Sequence, residues 1–303
     1  ALDRSSKEPL GRKLTNGEIQ NAPAIGAVGG VDVVFWGSAD RTLYAAAAMN
    51  GRLLWTRELV EPSSTLGDVE MSSPCLVGGR LYIACFAYDK ALSRGTQRGM
   101  LHCLEPGTGK LIWSELVCDG PLGSPVGFQF GGRSFVAVAA RRGILQCYDV
   151  SGGFAAKAWS FQMPHEVMGS PAVADCAGRT LLFLGSKYGN MVAIDAASGR
   201  QVWSRMAGNW FDNAACVGEI DGRKTVYAGS HDYCVYAMDA ESGEIVWRRA
   251  LGGEIHSAPC LFKSGWRDMV AVAALDNHLY MLDARTGELV SSWFTGNPIW
   301  DKL

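Results

Sequence analysis

The 303-residue chain carries 28 Lys and Arg against 30 Asp and Glu, a net charge of −2, which excludes bulk attraction to nucleic acid or anionic membrane as its organising function. Hydrophobic residues at 48% and charged residues at 19% exclude a disordered chain, and 37 glycines imply many tight turns between short elements. Apolar runs such as SFVAVAA and TLLFLG have strand length, well short of the roughly 18 residues of a membrane-spanning helix.

In chain order, a unit of about the same make-up recurs. NAPAIGAV at 21 opens the first unit and MNGRLLW closes it at Trp55. SSPCLV at 72 leads to GTGKLIW at Trp113, and GSPVGF at 123 to SGGFAAKAW at Trp159. GSPAVA at 169 leads to ASGRQVW at Trp203, NAACVG at 213 to ESGEIVW at Trp247, and SAPCLF at 257 to RTGELVS, where Ser291 stands in place of Trp and Trp293 follows. Trp-to-Trp spacings of 58, 46, 44 and 44 residues indicate stacked supersecondary units. Each unit holds four apolar runs bounded by Gly, Asp and Ser, which predicts four antiparallel strands, A to D.

Within VYAMDAESGEIVW, Val235 and Ala237 alternate with Tyr236 and Met238, so strand C is apolar on both faces and must be covered on both. The recurring Asp149, Asp195, Asp239 and Asp283 suit a C–D turn that an acceptor side chain organises, with Gly supplying positive φ. Ala47 and Glu105 replace this Asp in the first two units. Trp55, Trp113, Trp159, Trp203 and Trp247 lend large area and an N–H to a neighbouring unit. The expectation is an all-β fold, a β-propeller of four-stranded antiparallel blades spanning approximately 21–58, 72–116, 123–161, 169–206, 213–250 and 257–295 of a single domain, 1–303. Residues 8–16 resemble a D-to-A passage and are a candidate closing strand. The alternative is seven or eight blades in a longer parent chain, because the sequence starts at Ala1 and GNPIWDKL looks like entry to another blade.

The motif, its spacing and the Ser-Pro opening resemble the PQQ-like repeats of the quinoprotein alcohol dehydrogenase-like propellers, over residues 21 to 295. In the enzymes of that family the resemblance implies a quinone with calcium and an adjacent Cys–Cys disulfide. This chain has nine cysteines but no adjacent pair, no CxxC and no CxxCH. No GxSxG, P-loop or helix-opening GxGxxG appears either. No cofactor is therefore expected, with PQQ and calcium the alternative. Most cysteines sit inside strand patterns as small buried hydrophobes. Unpaired thiols favour a cytoplasmic location, whereas the resemblance slightly favours an exported, periplasmic one.

Strand order places the D–A and B–C connections on one end of the sheets and the A–B and C–D turns on the other. The insertions 58–71 and 88–99 read as long loops on the D–A/B–C face, which marks it as the functional end. Its candidate binding residues are Lys90, Arg94, Arg98, Arg141 and Arg142 as a basic sector, with Tyr188, Trp210, Phe211, His231, Asp232, His256 and Trp300. Glu18, Glu70, Glu166, Asp212, Glu254, Asp40, Asp276 and Asn277 belong to the same connections. His165, His231 and His256 share this rim with carboxylates, yet no HxH or HxxxH spacing accompanies them, so no metal is expected. His102, in strand C, reads as a packed or hydrogen-bonded residue.

The resulting expectation is a non-catalytic scaffold or sensor that presents this face to a protein partner, in a membrane-associated complex by analogy with outer-membrane assembly propellers. It predicts no nucleic-acid partner and no transmembrane segment. The alternatives are a quinone-dependent dehydrogenase or small-molecule site at the axial mouth, and a propeller module of a larger adenylating-type enzyme.

Overall fold

A computed structural model describes residues 15–60, 66–89, 96–118 and 123–297. Among them are 25 β-strands and no helix. The first sheet is β1 (Ala24–Val28), β2 (Val31–Gly37), β3 (Thr42–Ala47) and β4 (Leu53–Glu58). The second has its first strand in two pieces, β5 (Leu66–Met71) and β6 (Cys75–Val77), both paired to β7 (Arg80–Asp89), followed by β8 (Thr96–Leu104) and β9 (Leu111–Cys118). The third is β10 (Val126–Phe130), β11 (Arg133–Ala140), β12 (Ile144–Asp149) and β13 (Ala156–Gln162). The fourth is β14 (Ala172–Cys176), β15 (Arg179–Gly185), β16 (Asn190–Asp195) and β17 (Gln201–Met206). The fifth is β18 (Cys216–Ile220), β19 (Arg223–Gly229), β20 (Cys234–Asp239) and β21 (Ile245–Ala250). The sixth is β22 (Cys260–Ser264), β23 (Arg267–Ala274), β24 (His278–Asp283) and β25 (Leu289–Phe294). Every sheet pairs its strands in chain order, as short hairpins dictate.

The chain divides into two compact units, residues 1–140 with 148–158, and residues 141–147 with 159–303. In the second unit, β20 is buried on both faces, as its two-sided pattern requires. Cys234, Tyr236 and Met238 join Phe183, Met191 and Trp203 in one cluster. Val235 and Ala237 join Val270, Val272 and Ala274 in another. One strand thereby contributes to two cores, each large apolar side chain adding about 1.5–3 kcal/mol. The first unit repeats the arrangement, with Phe35, Leu43, Leu81 and Ile83 in one cluster and Tyr82, Leu101, Val136 and Val138 in the next.

The Gly-to-Trp motif couples one sheet to the next. The indole N–H groups of Trp55, Trp159, Trp203 and Trp247 donate to the carbonyls of Pro106, Ala196, Ala240 and Ala284 at 2.8–3.0 Å. Each acceptor directly follows the acidic residue of the next sheet's C–D turn. Asp239 Oδ1 holds that turn by accepting from the Ser242 N–H (2.9 Å) and hydroxyl (3.0 Å), and Asp195 and Asp283 do the same with Ser198 and Thr286. Asp149 accepts from the Ser151 N–H and pairs with Arg133. Trp113 packs against Tyr82, ring centroids 5.8 Å apart. Trp293, where the motif has slipped, is half-exposed.

The two insertions are less loop than expected. Residues 66–71 form β5, and β7 and β8 extend as a ladder through Tyr88↔Gln97 and Asp89↔Thr96. Pairing across a continued hairpin satisfies backbone groups that a loop would leave to water. Residues 61–65 and 90–95 lie outside the described residues, as does the candidate closing strand up to residue 14; Thr15 and Asn16 are not in a strand.

Candidate functional site at the D–A and B–C connections

In the second unit, each D–A passage is hydrogen-bonded to a B–C turn. The backbone N–H groups of Lys187, His231 and Leu275 donate to the carbonyls of Glu166, Trp210 and Glu254 at 2.8–2.9 Å. Because these bonds recur at equivalent positions, side chains from separate segments are held at fixed separations.

The B–C turns differ in what they display. Asp232 Oδ1 accepts from the Cys234 N–H (3.1 Å), while Oδ2 accepts from the Gly208 N–H (2.9 Å) and the Tyr236 hydroxyl (2.5 Å). Asp40 with Tyr44 and Asp276 with Tyr280 repeat the pairing. Burial would raise the Asp232 carboxyl, but these donors hold it below the usual carboxylate range. Asp232 is thus engaged by its own turn and the D–A passage beside it rather than offered to a ligand. Phe211 also leaves the candidate face: it is 2% exposed and packs edge-on against Tyr236, ring centroids 5.7 Å apart. An apolar ring following exposed Trp210 turns inward because the passage must bury one side.

The remaining candidates gather. Tyr188 is 65% exposed and packs against His165 at 4.4 Å between centroids. Lys187 Nζ lies 3.2 Å from Glu166 and 4.9 Å over the Trp210 ring, and Trp210 lies 5.4 Å from His231. His231 and His256 stack at 3.9 Å with Asp212 beside both. Burial works to raise the Asp212 carboxyl, yet His231, His256 and Lys187 hold it below the usual range. Arg141 and Arg142 are exposed, with Arg141 Nε 3.1 Å from Met168 Sδ. Arg98 sits in β8 opposite Ala87. Lys90, Arg94 and Trp300 lie outside the described residues.

Tyr233, 48% exposed, is a member of this surface that sequence reading did not single out. Its backbone is left-handed, with φ of +67° at Tyr233 and +78° at Tyr188, as it is at Arg41 and Asn277 in the B–C turns of other blades.

A family model described as outer membrane protein assembly factor BamB matches residues 97–209 and 214–298, well over half of the chain. The chain belongs to this family. This BamB-family chain is similar in structure to BamB from Moraxella catarrhalis at 18% identity, covering 96% of this chain and 79% of that one with a TM-score of 0.65. It is similar to Sqt1 of Saccharomyces cerevisiae at 13% identity, covering 95% and 78%, TM-score 0.69. It is also similar to the quinohemoprotein alcohol dehydrogenase from Comamonas testosteroni at 12% identity, covering 89% and 59%, TM-score 0.66. At such identities the likeness shows the fold alone, a β-propeller. No curated protein matches the chain.

The quinoprotein resemblance implies a calcium-bound quinone beside a disulfide. All nine cysteines are free in this BamB-family chain. The imidazole-rich cluster on the D–A/B–C face offers nitrogen donors where calcium takes an all-oxygen shell. These residues do not fit that group.

Proposed function

We propose that this BamB-family propeller is a non-catalytic scaffold that binds a protein partner through its D–A/B–C face. The observation that carries the reading is the pair Tyr188 and Tyr233. Both side chains are exposed, so core packing does not require them. Both hold the left-handed backbone region, which costs a non-glycine residue about 1–2 kcal/mol and which Gly or Asn would occupy more cheaply. The B–C turn itself sets this backbone, since Arg41 and Asn277 hold it in other blades; what is particular to positions 188 and 233 is an exposed tyrosine there, which a partner outside the chain accounts for. Tyr and Trp are also the side chains that most often anchor protein interfaces.

The family description, an outer membrane assembly factor, supports an exported location beside a membrane as part of the same proposal. Among the described residues no helix is long and apolar enough to cross a membrane. Burial of five of the nine thiols makes their unpaired state compatible with that location, since oxidation needs access.

The test is a photo-crosslinking amino acid placed at Tyr188, at Tyr233 and, as a control, at exposed Glu241 in a C–D turn. The expected result is one shared adduct from the two tyrosine positions, lost on Trp210→Ala and absent from position 241. Equal labelling from all three positions, or none from the tyrosines, would sink the proposal.

A further inference from the structure

Three connections of the second unit bring Asp212, His231 and His256 together, one ligand atom from each lying within 4.8 Å of the others. We propose that these residues form a binding site for a divalent transition-metal ion, of which zinc is the natural occupant.

The separations suit the role. Asp212 Oδ2 lies 3.4 Å from His231 Nε2 and 3.5 Å from His256 Nδ1. Ligands bonded at zinc distances in a tetrahedron stand about 3.4 Å from one another. The His231 pair is long for a hydrogen bond and makes none, so two buried atoms are left unsatisfied, Asp212 Oδ1 and His231 Nε2. The His231 side chain is 8% exposed, so water does not serve it freely. A buried imidazole nitrogen aimed at a carboxylate without a hydrogen bond is the arrangement that a cation between them satisfies. The two imidazoles stack 3.9 Å apart, close enough for a single ion to be shared by both.

The surroundings support the ligands. His256 Nε2 lies 3.1 Å from Glu254 Oε2; with the carboxylate accepting a hydrogen bond from Nε2–H, the neutral ring keeps its Nδ1 lone pair toward Asp212. Backbone bonds tie the segments at the ligands themselves: the His231 N–H donates to Trp210 O (2.9 Å) and Asn213 Nδ2 to His256 O (2.8 Å). Asp212 and His256 keep 22% and 17% side-chain exposure, which leaves a path for the ion and an open fourth position for water.

The repeat does not demand these residues. The position of His231 is held by Ala39, Lys187 and Leu275 in other blades, and that of His256 by Gln20 and Met168. The donors coincide at one junction alone among the blades so compared, and imidazole with one carboxylate favours zinc-like ions over calcium or magnesium. The inference is independent of the partner reading, because it needs no second protein.

The test is isothermal titration of the chelator-treated, folded protein with zinc chloride, followed by cobalt(II) substitution. One zinc per chain is expected, with a raised thermal midpoint and the visible bands of four-coordinate cobalt. Asp212→Asn, which preserves shape, and His256→Ala should lose binding. Glu254→Gln should weaken it about 10- to 100-fold, and His165→Ala should leave it unchanged. If His256→Ala fails to fold, Asp212→Asn and the cobalt spectrum decide. No zinc uptake by the folded wild type, or uptake unaltered by Asp212→Asn, would overturn the site.

Discussion

His102 shows how a single position is settled by packing. It is 5% exposed in β8, with Nε2 2.9 Å from Cys85 Sγ and Nδ1 2.7 Å from Ser114 Oγ. Sequence placed it in strand C as a packed or hydrogen-bonded residue; its partners come from β7 and β9. Burial pushes its pKa down from 6.5 to about 4. The folded state then resists the proton that the unfolded chain accepts, so stability is complete above pH 6.5 and falls as the pH drops from 6.5 toward 4. The loss by pH 4 should be on the order of 3 kcal/mol. Urea unfolding at pH 7 and pH 4.5 should show a drop for the wild type that His102→Gln largely removes. An identical drop in both would refute the assignment. Tyr233 shows the converse limit, because an exposed tyrosine is unremarkable in a sequence until its φ is known.

Among the elements, the C–D turn carries the fold's repeating joint. Asp, Ser or Thr, and Gly close the hairpin, and the same turn receives the tryptophan of the preceding sheet. Gly243 has φ of +71°, and a Cβ there would come within 2.6 Å of the Trp203 ring. Gly199 and Gly287 face Trp159 and Trp247 in the same way. The glycine thus answers two requirements, left-handed backbone and room for an indole. Gly243→Ala should cost about 2–5 kcal/mol, the sum of backbone strain and overpacking. Gly222 has φ of +75° with nothing within 4 Å of its Cβ position, so Gly222→Ala should cost only the backbone strain, about 1–2 kcal/mol. Chemical denaturation of the two variants separates these contributions; equal losses would deny the indole contact its role. The tryptophan's register is set by a β-bulge: Ala237 pairs with Trp247 and Met238 with Ile245, so Val246 is the extra residue. The motif's spacing was readable, but the bulge behind it was not.

At the scale of the molecule, the nine thiols report on packing. Cys85, Cys103, Cys147, Cys176 and Cys234 are buried, and burial pushes Cys85 and Cys147 to about 12 and Cys103 and Cys176 to about 11. A thiol held so high carries almost no thiolate at neutral pH. A thiol reagent under non-reducing conditions should label no more than the four half-buried cysteines rapidly in the native protein, and all nine after denaturation. Fewer than nine in the denatured chain would reveal a disulfide.

The repeat is what the sequence determined by itself. Alternation, turn residues and the Trp period are local or periodic properties, and they required four-stranded antiparallel sheets whose third strands are buried on both faces, as β3, β12, β16 and β20 are and the partly exposed β24 is not. The sites answer to different physics. Asp212, His231 and His256 stand far apart in the chain, without the short spacing that marks a metal site on one element. They meet only because two D–A passages and a B–C turn are bonded side by side. Asp232 and Phe211 look as available in the sequence as Tyr188 does; the turn engages the carboxylate and the core takes the ring. Which side chains remain free depends on what their neighbours have already satisfied, and those neighbours are assembled only in the folded chain.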